Sequence, residues 1–514
     1  MKNIKNFTKY FLVILVAMVA INCDSKLDDP VENLSLSAEE DFTQSSNMIS
    51  PLIGAYAQFY SRGWEESLLI SVRGDDVNHG GLGDQQPFAD TDFYNYDKDY
   101  WMYNSVWQNG YRDIFDLHNA MERIEKYKDA GADAALANQY VAEVKVLRAH
   151  LLFEISRLWS AMFITTSSDA SELYQANVSS RDEVLQHISD QMDEAIPNLL
   201  DEHPANRADV TGGVTKHAAL AIKARANLEL KNYQAVAEAT GQIISSNKFS
   251  LFPDFYEEFK TAGKLSQENI LEMQYSDFGQ GSGPSENHLW APYGPQGWTP
   301  AVTGASAGWG FYEPSLKFIK FMLDRNETVR LETSVLFTDR GIAKIKEDPD
   351  YATLPSWISN TTRDGDVIND YARAMFASGK HYLPSNELIA GRTSYGSNKD
   401  FIVIRYSEVL LMYAEALTQG ATGTGMTADQ AVNLVRDRAG LAGLSGVTKQ
   451  QVMDEKFAEL GMEWGIRYYD MVRLGTTNEL NYDDHIYSDN KRFLPFPQNQ
   501  IDQIPALRAY VQGL

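Results

Sequence analysis

The sequence predicts a mainly helical protein, built from antiparallel helical hairpins and interrupted by one long irregular stretch. Two observations carry this. Apolar residues recur at three- to four-residue steps through most of the chain, while strand-like alternation is scarce. One stretch, TKHAALAIKARANLELKNYQAVAEATGQIIS from Thr215 to Ser245, also reads as a hairpin in its own right. Ala218, Ala219, Ala224 and Ala226 lie in its first helix, a Lys231-Asn232 turn follows, and Ala235, Ala237 and Ala239 lie in its second. Small side chains at such positions let two antiparallel backbones approach closely, the physical basis of tetratricopeptide-type repeats of about 34 residues.

In chain order, the first element is a leader. Lys2, Lys5 and Lys9 precede an unbroken apolar run from Phe11 to Ile21, about eleven residues, which suits a secretory segment. A membrane span needs about twenty. Cys23, the single cysteine of the chain, follows directly, so no intramolecular disulfide is possible. That position makes Cys23 an expected lipid-attachment point; the alternative is an ordinary signal peptide that leaves a free thiol. Ala20-Ile21-Asn22-Cys23 resembles a bacterial lipoprotein box, with Asn22 where a small residue is usual. The expected boundaries are a signal peptide over 1–22, an acidic tether over 23–44 whose composition is that of a spacer, and a single body over 45–514.

Within the body, Ile49, Ile53, Tyr56, Phe59 and Tyr60 set the first helix. Amphipathic stretches follow at about Ser105–Tyr127, Ala134–Trp159, Arg181–Leu200, Thr215–Leu230 and Tyr233–Ser245. Between residues 276 and 399 Gly, Pro, Ser and Asn rise and aromatics stand among turn residues, the texture of a loop-rich, ligand-facing insertion. Helical repeats are thus expected mainly over 45–275 and 400–475. The pattern returns at Phe401–Leu417, Thr427–Ala439 and Lys449–Leu474. In the last, Phe457, Leu460, Trp464, Tyr468 and Met471 form one apolar stripe, and Glu463 and Arg467 are spaced for an i,i+4 ion pair.

The net charge of −25 argues against nucleic acid, which requires clustered Lys and Arg. Neither HExxH, a P-loop nor short His spacing is present, so no metal, cofactor or catalytic residue is expected. Gly304-Ala-Ser-Ala-Gly308 formally matches the nucleophile elbow of α/β hydrolases but lacks the required strand before Ser306 and helix after it. Seventy acidic residues leave accidental carboxylate pairs open, and with them an all-helical glycoside hydrolase.

Three windows carry candidate binding residues. Phe88 to Trp107, FADTDFYNYDKDYWMYNSVW, interleaves eight aromatics with Asp, Asn and Lys. Sugars have apolar C–H faces and polar rims, so a sugar site needs flat rings beside hydrogen-bonding groups. Trp101 is the candidate here, whereas Trp107 is expected to pack in the core. Trp290 to Tyr312 places Trp290, Tyr293, Trp298 and Trp309 among glycines and prolines, where loops are rarely buried whole. Arg73-Gly-Asp-Asp-Val-Asn78 with His79 adds Asp75, Asp76 and His79 as groups to orient hydroxyls; Ca²⁺ is disfavoured because no twelve-residue ligand loop is present.

Several segments together resemble the RagB/SusD family of outer-membrane nutrient-binding lipoproteins. These are Trp107, Tyr111, Ile114 and Asn119; Ala142-Glu143 with Leu147-Arg148-Ala149 and Phe153; IRYSEVLLMYAEAL from Ile404 to Leu417; NLVRDRAGL from Asn433 to Leu441; EKFAELGMEWGIRYYDMVRLG from Glu455 to Gly475; and FLPFPQNQID from Phe493 to Asp502. Lys456-Phe457 and Gly465-Ile466 depart from the usual pattern. The resemblance implies four tetratricopeptide-like hairpins in a superhelix, a lipid anchor that leaves the protein exposed at the cell surface, and a TonB-dependent, SusC-like transporter as partner. It implies an oligosaccharide or polysaccharide ligand; peptide is the alternative within the same family.

Overall fold

A computed structural model describes residues 40–61, 63–276, 290–302, 306–388 and 398–513, with residue 290 described by its backbone alone. The leader, Cys23, the tether up to residue 39 and the Trp290 side chain therefore lie outside the described residues. The chain is mainly helical. Helix α1 (Ile49–Tyr60) leads to α2 (Trp64–Ser71), α3 (Gln86–Asp92), α4 (Trp101–Asp129), α5 (Ala134–Leu158), α6 (Arg181–Ala195), α7 (Lys216–Glu229) and α8 (Tyr233–Ser245). After the irregular stretch come α9 (Tyr406–Thr418), α10 (Ala428–Arg438), α11 (Lys449–Leu460) and α12 (Ile466–Leu474).

Local chemistry starts these helices where they start. Asp133 caps α5 by accepting from the Leu136 amide, and complete capping boxes, Ser180 with Glu183, Thr427 with Gln430 and Thr448 with Gln451, open α6, α10 and α11. The helix expected to run to Leu200 ends as α-helix at Ala195, because Pro197 tightens Ile196–Asn198 into a 3₁₀ turn. Lys231, at φ 59°, makes the turn between α7 and α8.

The helices stack in series. α4 pairs with α1 and α5, α5 with α6, α6 with α7, α7 with α8, and α8 with α9. Ala218, Ala219, Ala224, Ala226, Ala237 and Ala239 are all buried, as the close approach of α7 and α8 requires. Since α9, which begins at Tyr406, seats directly on α8, which ends at Ser245, the described residues between them form an excursion between two neighbours of the stack. This excursion has short helices at Leu316–Asp324, Val329–Ser334 and Asp339–Lys346, and a small core of its own around Tyr256, Trp298, Ile368, Tyr371 and Tyr382. Short antiparallel ladders tie it down: β1 (Val77–His79) pairs with β3 (Tyr312–Pro314), and β2 (Asn269–Met273) with β4 (Phe401–Arg405).

Two further expectations are corrected. Phe401–Leu417 is not helical throughout: Phe401–Arg405 is strand β4, drawn into pairing with β2, and the helix begins at Tyr406. Lys449–Leu474 is not a single helix: it breaks at Gly461–Gly465, where Met462 (φ 68°), Trp464 (φ 48°) and Gly465 (φ 62°) turn left-handed. The stripe residues are buried, but from two helices and the kink between them. The Glu463–Arg467 pair does not form, because buried charges from elsewhere claim both partners. Glu463 accepts from Arg405 Nε at 2.8 Å and Lys380 Nζ at 2.5 Å, while Arg467 Nε donates to Asp75 at 2.8 Å.

These bonds belong to a buried ionic lattice. Arg405 also reaches Glu268 (2.8 Å) and Glu459 (2.5 Å), Arg438 reaches Glu268 (2.8 Å), and Arg330 reaches Glu455 (2.7 Å). A second group joins Glu415 to Arg473 (2.5 Å) and Lys456 (3.1 Å). Much of the motif set from Ile404 to Gly475 is therefore framework, locking the excursion onto the last helices.

Candidate functional site

Three tryptophans from separate segments converge at the surface. Trp101 is the first residue of α4 and is 50 % exposed. Trp64 opens α2 directly after Gly63, and its ring lies edge-on to Trp101 (6.5 Å) and to Trp309 (5.9 Å). Phe311 lies beneath, 5.9 Å from Trp64 and 5.3 Å from Trp309, and is buried. Trp64 and Trp309 are half-buried, so the group forms a partly exposed shelf with an apolar floor.

The backbone holds this shelf in place. Trp309 sits on a loop whose amides bond back across residues 291–295: Gly308 to Pro295 O, Trp309 to Ala291 O, Gly310 to Gly294 O and Phe311 to Pro292 O. On its other side Gly80 donates to Phe311 O at 2.7 Å, extending the ladder of β1 and β3. Gly80 is glycine for a steric reason, since a Cβ there would stand 1.9 Å from Gly310 O. A polar rim adjoins the floor. Arg373 lies over the Phe311 ring at 5.0 Å and makes a two-pronged pair with Asp84, both bonds 2.6 Å.

The remaining sequence candidates lie elsewhere. Asp75 is fully buried beneath Arg467 (2.8 Å) and Lys317 (2.6 Å); burial raises its carboxyl, but these cations outweigh that and hold it below the usual range. Asp76 is also buried, accepts from the Met462 amide at 2.6 Å, and is pushed up to about 6 by burial. Neither carboxylate is open to a sugar hydroxyl; both brace the Gly461–Gly465 kink and its flanks. His79 turns its ring onto Asp92, with Nδ1 at 2.7 Å, and His485 Nε2 reaches the same carboxylate at 3.0 Å. Burial would raise Asp92, yet the hydrogen bonds from His485 and His79 prevail and lower it. Tyr293 is buried, stacked on His381 at 4.0 Å, and Trp298 is buried edge-on to Tyr382 in the small core. Their glycine- and proline-rich surroundings suggested exposure; instead the loop pairs its backbone internally and folds these two rings inward. Trp107 is buried as expected. Ser306 leads into irregular chain before β3, with no helix after it.

Trp64, Phe311, Arg373 and Asp84 were not legible as site residues. The one local signal was Gly63-Trp64 at a helix start, which places a large ring at an exposed end.

Comparison with known proteins agrees with this architecture. The family described as "SusD family" matches residues 267–510, and that described as "Starch-binding associating with outer membrane" matches residues 31–228. A SusD-like protein P2 of Formosa agariphila is 24 % identical over 501 residues, covering 93 % of this chain and 92 % of the relative. Among solved structures, a laminarin binding SusD-like protein superposes with a TM-score of 0.73 at 21 % identity, covering 89 % of this chain and 97 % of that one. Surface glycan-binding protein A from Bacteroides thetaiotaomicron, in complex with laminarihexaose, superposes with a TM-score of 0.71, also at 21 % identity and with the same coverage.

Proposed function

Since the chain belongs to the SusD/RagB family, we propose that it captures an oligosaccharide at the outer membrane on the Trp64–Trp101–Trp309 shelf. The observation that carries this reading is the convergence of three indole rings, from α2, α4 and the loop before β3, in one partly exposed cluster with a charged rim beside it. Indole faces suit the C–H faces of a pyranose, while Arg373 and Asp84, beside the Phe311 floor, offer charged partners for ring hydroxyls. Affinity comes from stacking and desolvation, and no bond is broken. Two of the similar structures are named for laminarin or carry laminarihexaose, which makes a β-glucan the first ligand to try.

In this reading the protein is a lipoprotein anchored through Cys23, exposed at the cell surface, that passes its ligand to a SusC-like, TonB-dependent transporter. Calorimetry with laminarihexaose, with and without Trp101→Ala and Trp309→Ala, tests the shelf; unchanged binding in both variants rejects it. Release of reducing sugar from a polysaccharide panel would make the protein a glycoside hydrolase instead. Tighter binding of a peptide mixture than of any glycan would favour the peptide alternative. Mass spectrometry of Cys23, labelling of intact cells and co-purification with a large outer-membrane barrel test the anchor, the exposure and the partner.

A further inference from the structure

The helical half holds a second cavity that the shelf does not use. It has a volume of about 640 Å³ and opens between α4, α5 and α6, lined among others by His118, Glu122, Lys126, Arg148, Thr165 and Gln191. Arg148 on α5, one of its lining residues, is 6 % exposed. Nη2 donates to Gln191 Oε1 at 2.7 Å, and Nη1 lies 3.1 Å from His118 Nδ1. His118 itself meets Thr165 Oγ1 at 3.2 Å.

Arg148 differs from most buried arginines of the framework; Arg73, which also lacks a carboxylate, is held instead by the Arg157 and Arg492 carbonyls and the Tyr469 hydroxyl. Arg207, Arg225, Arg330, Arg405 and Arg473 each hold a carboxylate. Among the described residues none pairs with Arg148, and its Nε has no hydrogen-bond partner. Burial pulls this guanidinium down to about 10, with only partial relief from the charge of Glu194, which is itself bonded to Lys145 at 2.7 Å. A buried guanidinium with amide and imidazole neighbours alone is a site prepared for an anion.

The surroundings select which anion. Glu122 is engaged by Ser168 (2.8 and 2.7 Å) and Glu125 by Lys128 (3.0 Å). Lys126, Lys145 and Arg148 stand against Glu122, Glu125 and Asp129, so the formal charges of the lining cancel. Burial drives His118 down to about 4 and lowers His187, leaving both imidazoles neutral near pH 7. A near-neutral cavity with one desolvated cation favours a single negative charge over a dianion. The size suits a small molecule, and Gln191, Thr165 and Thr166 give it polar walls beside apolar Met121 and Val141.

We propose that this cavity binds a monocarboxylate sugar acid, with its carboxylate on the Arg148 guanidinium and its hydroxyls toward Gln191 and Thr165. His118 lies seventeen residues along α4 from Trp101, about 25 Å at the helical rise. The site is therefore separate from the shelf and does not depend on it.

The test is calorimetry on the full-length protein in detergent with glucuronate and galacturonate, against glucose, galactose, sulfate and phosphate. A sugar acid binds saturably and neutral hexoses do not. Arg148→Gln and Gln191→Ala each weaken binding about tenfold or more, the worth of a charge-assisted contact, whereas Trp101→Ala leaves it unchanged. Gln191 is half-buried, so its variant reports even where Arg148→Gln fails to fold. Absence of sugar-acid binding, equal binding of glucose, tighter binding of sulfate or phosphate, or full affinity in Gln191→Ala would each overturn the assignment.

Discussion

Trp64 meets Trp309 edge to face, ring centroids 5.9 Å apart and planes inclined by 86°. That contact joins the start of α2 to a loop of the excursion, so the shelf exists only while the two are docked. Rings held this way lose little freedom when a sugar arrives, which favours binding.

Replacing a shelf ring should therefore cost affinity and leave the fold intact. Trp101→Ala and Trp309→Ala are each expected to weaken laminarihexaose binding about tenfold, the order of one stacked ring with its buried area. Trp298→Ala, which empties the small core, should instead lower the melting temperature with little change in affinity per folded molecule. Calorimetry paired with thermal melting separates the two effects, and the opposite assignment of rings to effects would refute the shelf.

Gly80 tests the clamp rather than the rings. A Cβ at that position meets Gly310 O at 1.9 Å, so Gly80→Ala must push the Trp309 loop outward. The expected result is weaker glycan binding together with a lower melting point. Gly54 lies within α1 with no atom within 4 Å of its ideal Cβ, and Gly54→Ala should stabilise by up to about 1 kcal/mol and leave binding alone.

Glu459 is shared by Arg405 and Arg438 and lies 3.3 Å from Arg330. Glu459→Ala strands these cations in the interior and is expected to cost about 3–5 kcal/mol in denaturant unfolding. A loss below about 1 kcal/mol would show that water reaches the lattice.

Asp76 supplies a pH-dependent test. Burial raises its carboxyl from 3.8 to about 6, so the folded state takes up its proton more readily than the unfolded chain. The stability this contributes is complete below about pH 4 and is lost as pH rises through about 6. Asp76→Asn preserves an acceptor for the Met462 amide and removes that loss. Its stability relative to the native protein should match at pH 4 and rise toward pH 7, by on the order of 3 kcal/mol at most. Parallel stability curves across this range would place the Asp76 carboxyl in water-like surroundings.

Helical periodicity located the repeat helices well, because each amphipathic face is written in local spacing. The break at Gly461–Gly465 escaped that logic. Phe457, Leu460, Trp464, Tyr468 and Met471 keep helical spacing across it, yet Arg405, Lys380 and Asp76, all distant in sequence, draw Glu463 and the Met462 amide out of helical register. The aromatic windows were visible, but which rings face water was not. Tyr293 and Trp298 share the composition around Trp309, and only pairing with His381 and Tyr382 turned them inward.

By itself, then, the sequence determined the helical class, the hairpin from Thr215 to Ser245 and the family, since short-range patterning and motif order encode them. Tertiary structure alone decided that Trp64 joins Trp101 and Trp309, that Asp75 and Asp76 serve the framework, and that Arg148 lacks an acid. Such outcomes depend on which distant residue reaches a given side chain first, and no local spacing records that.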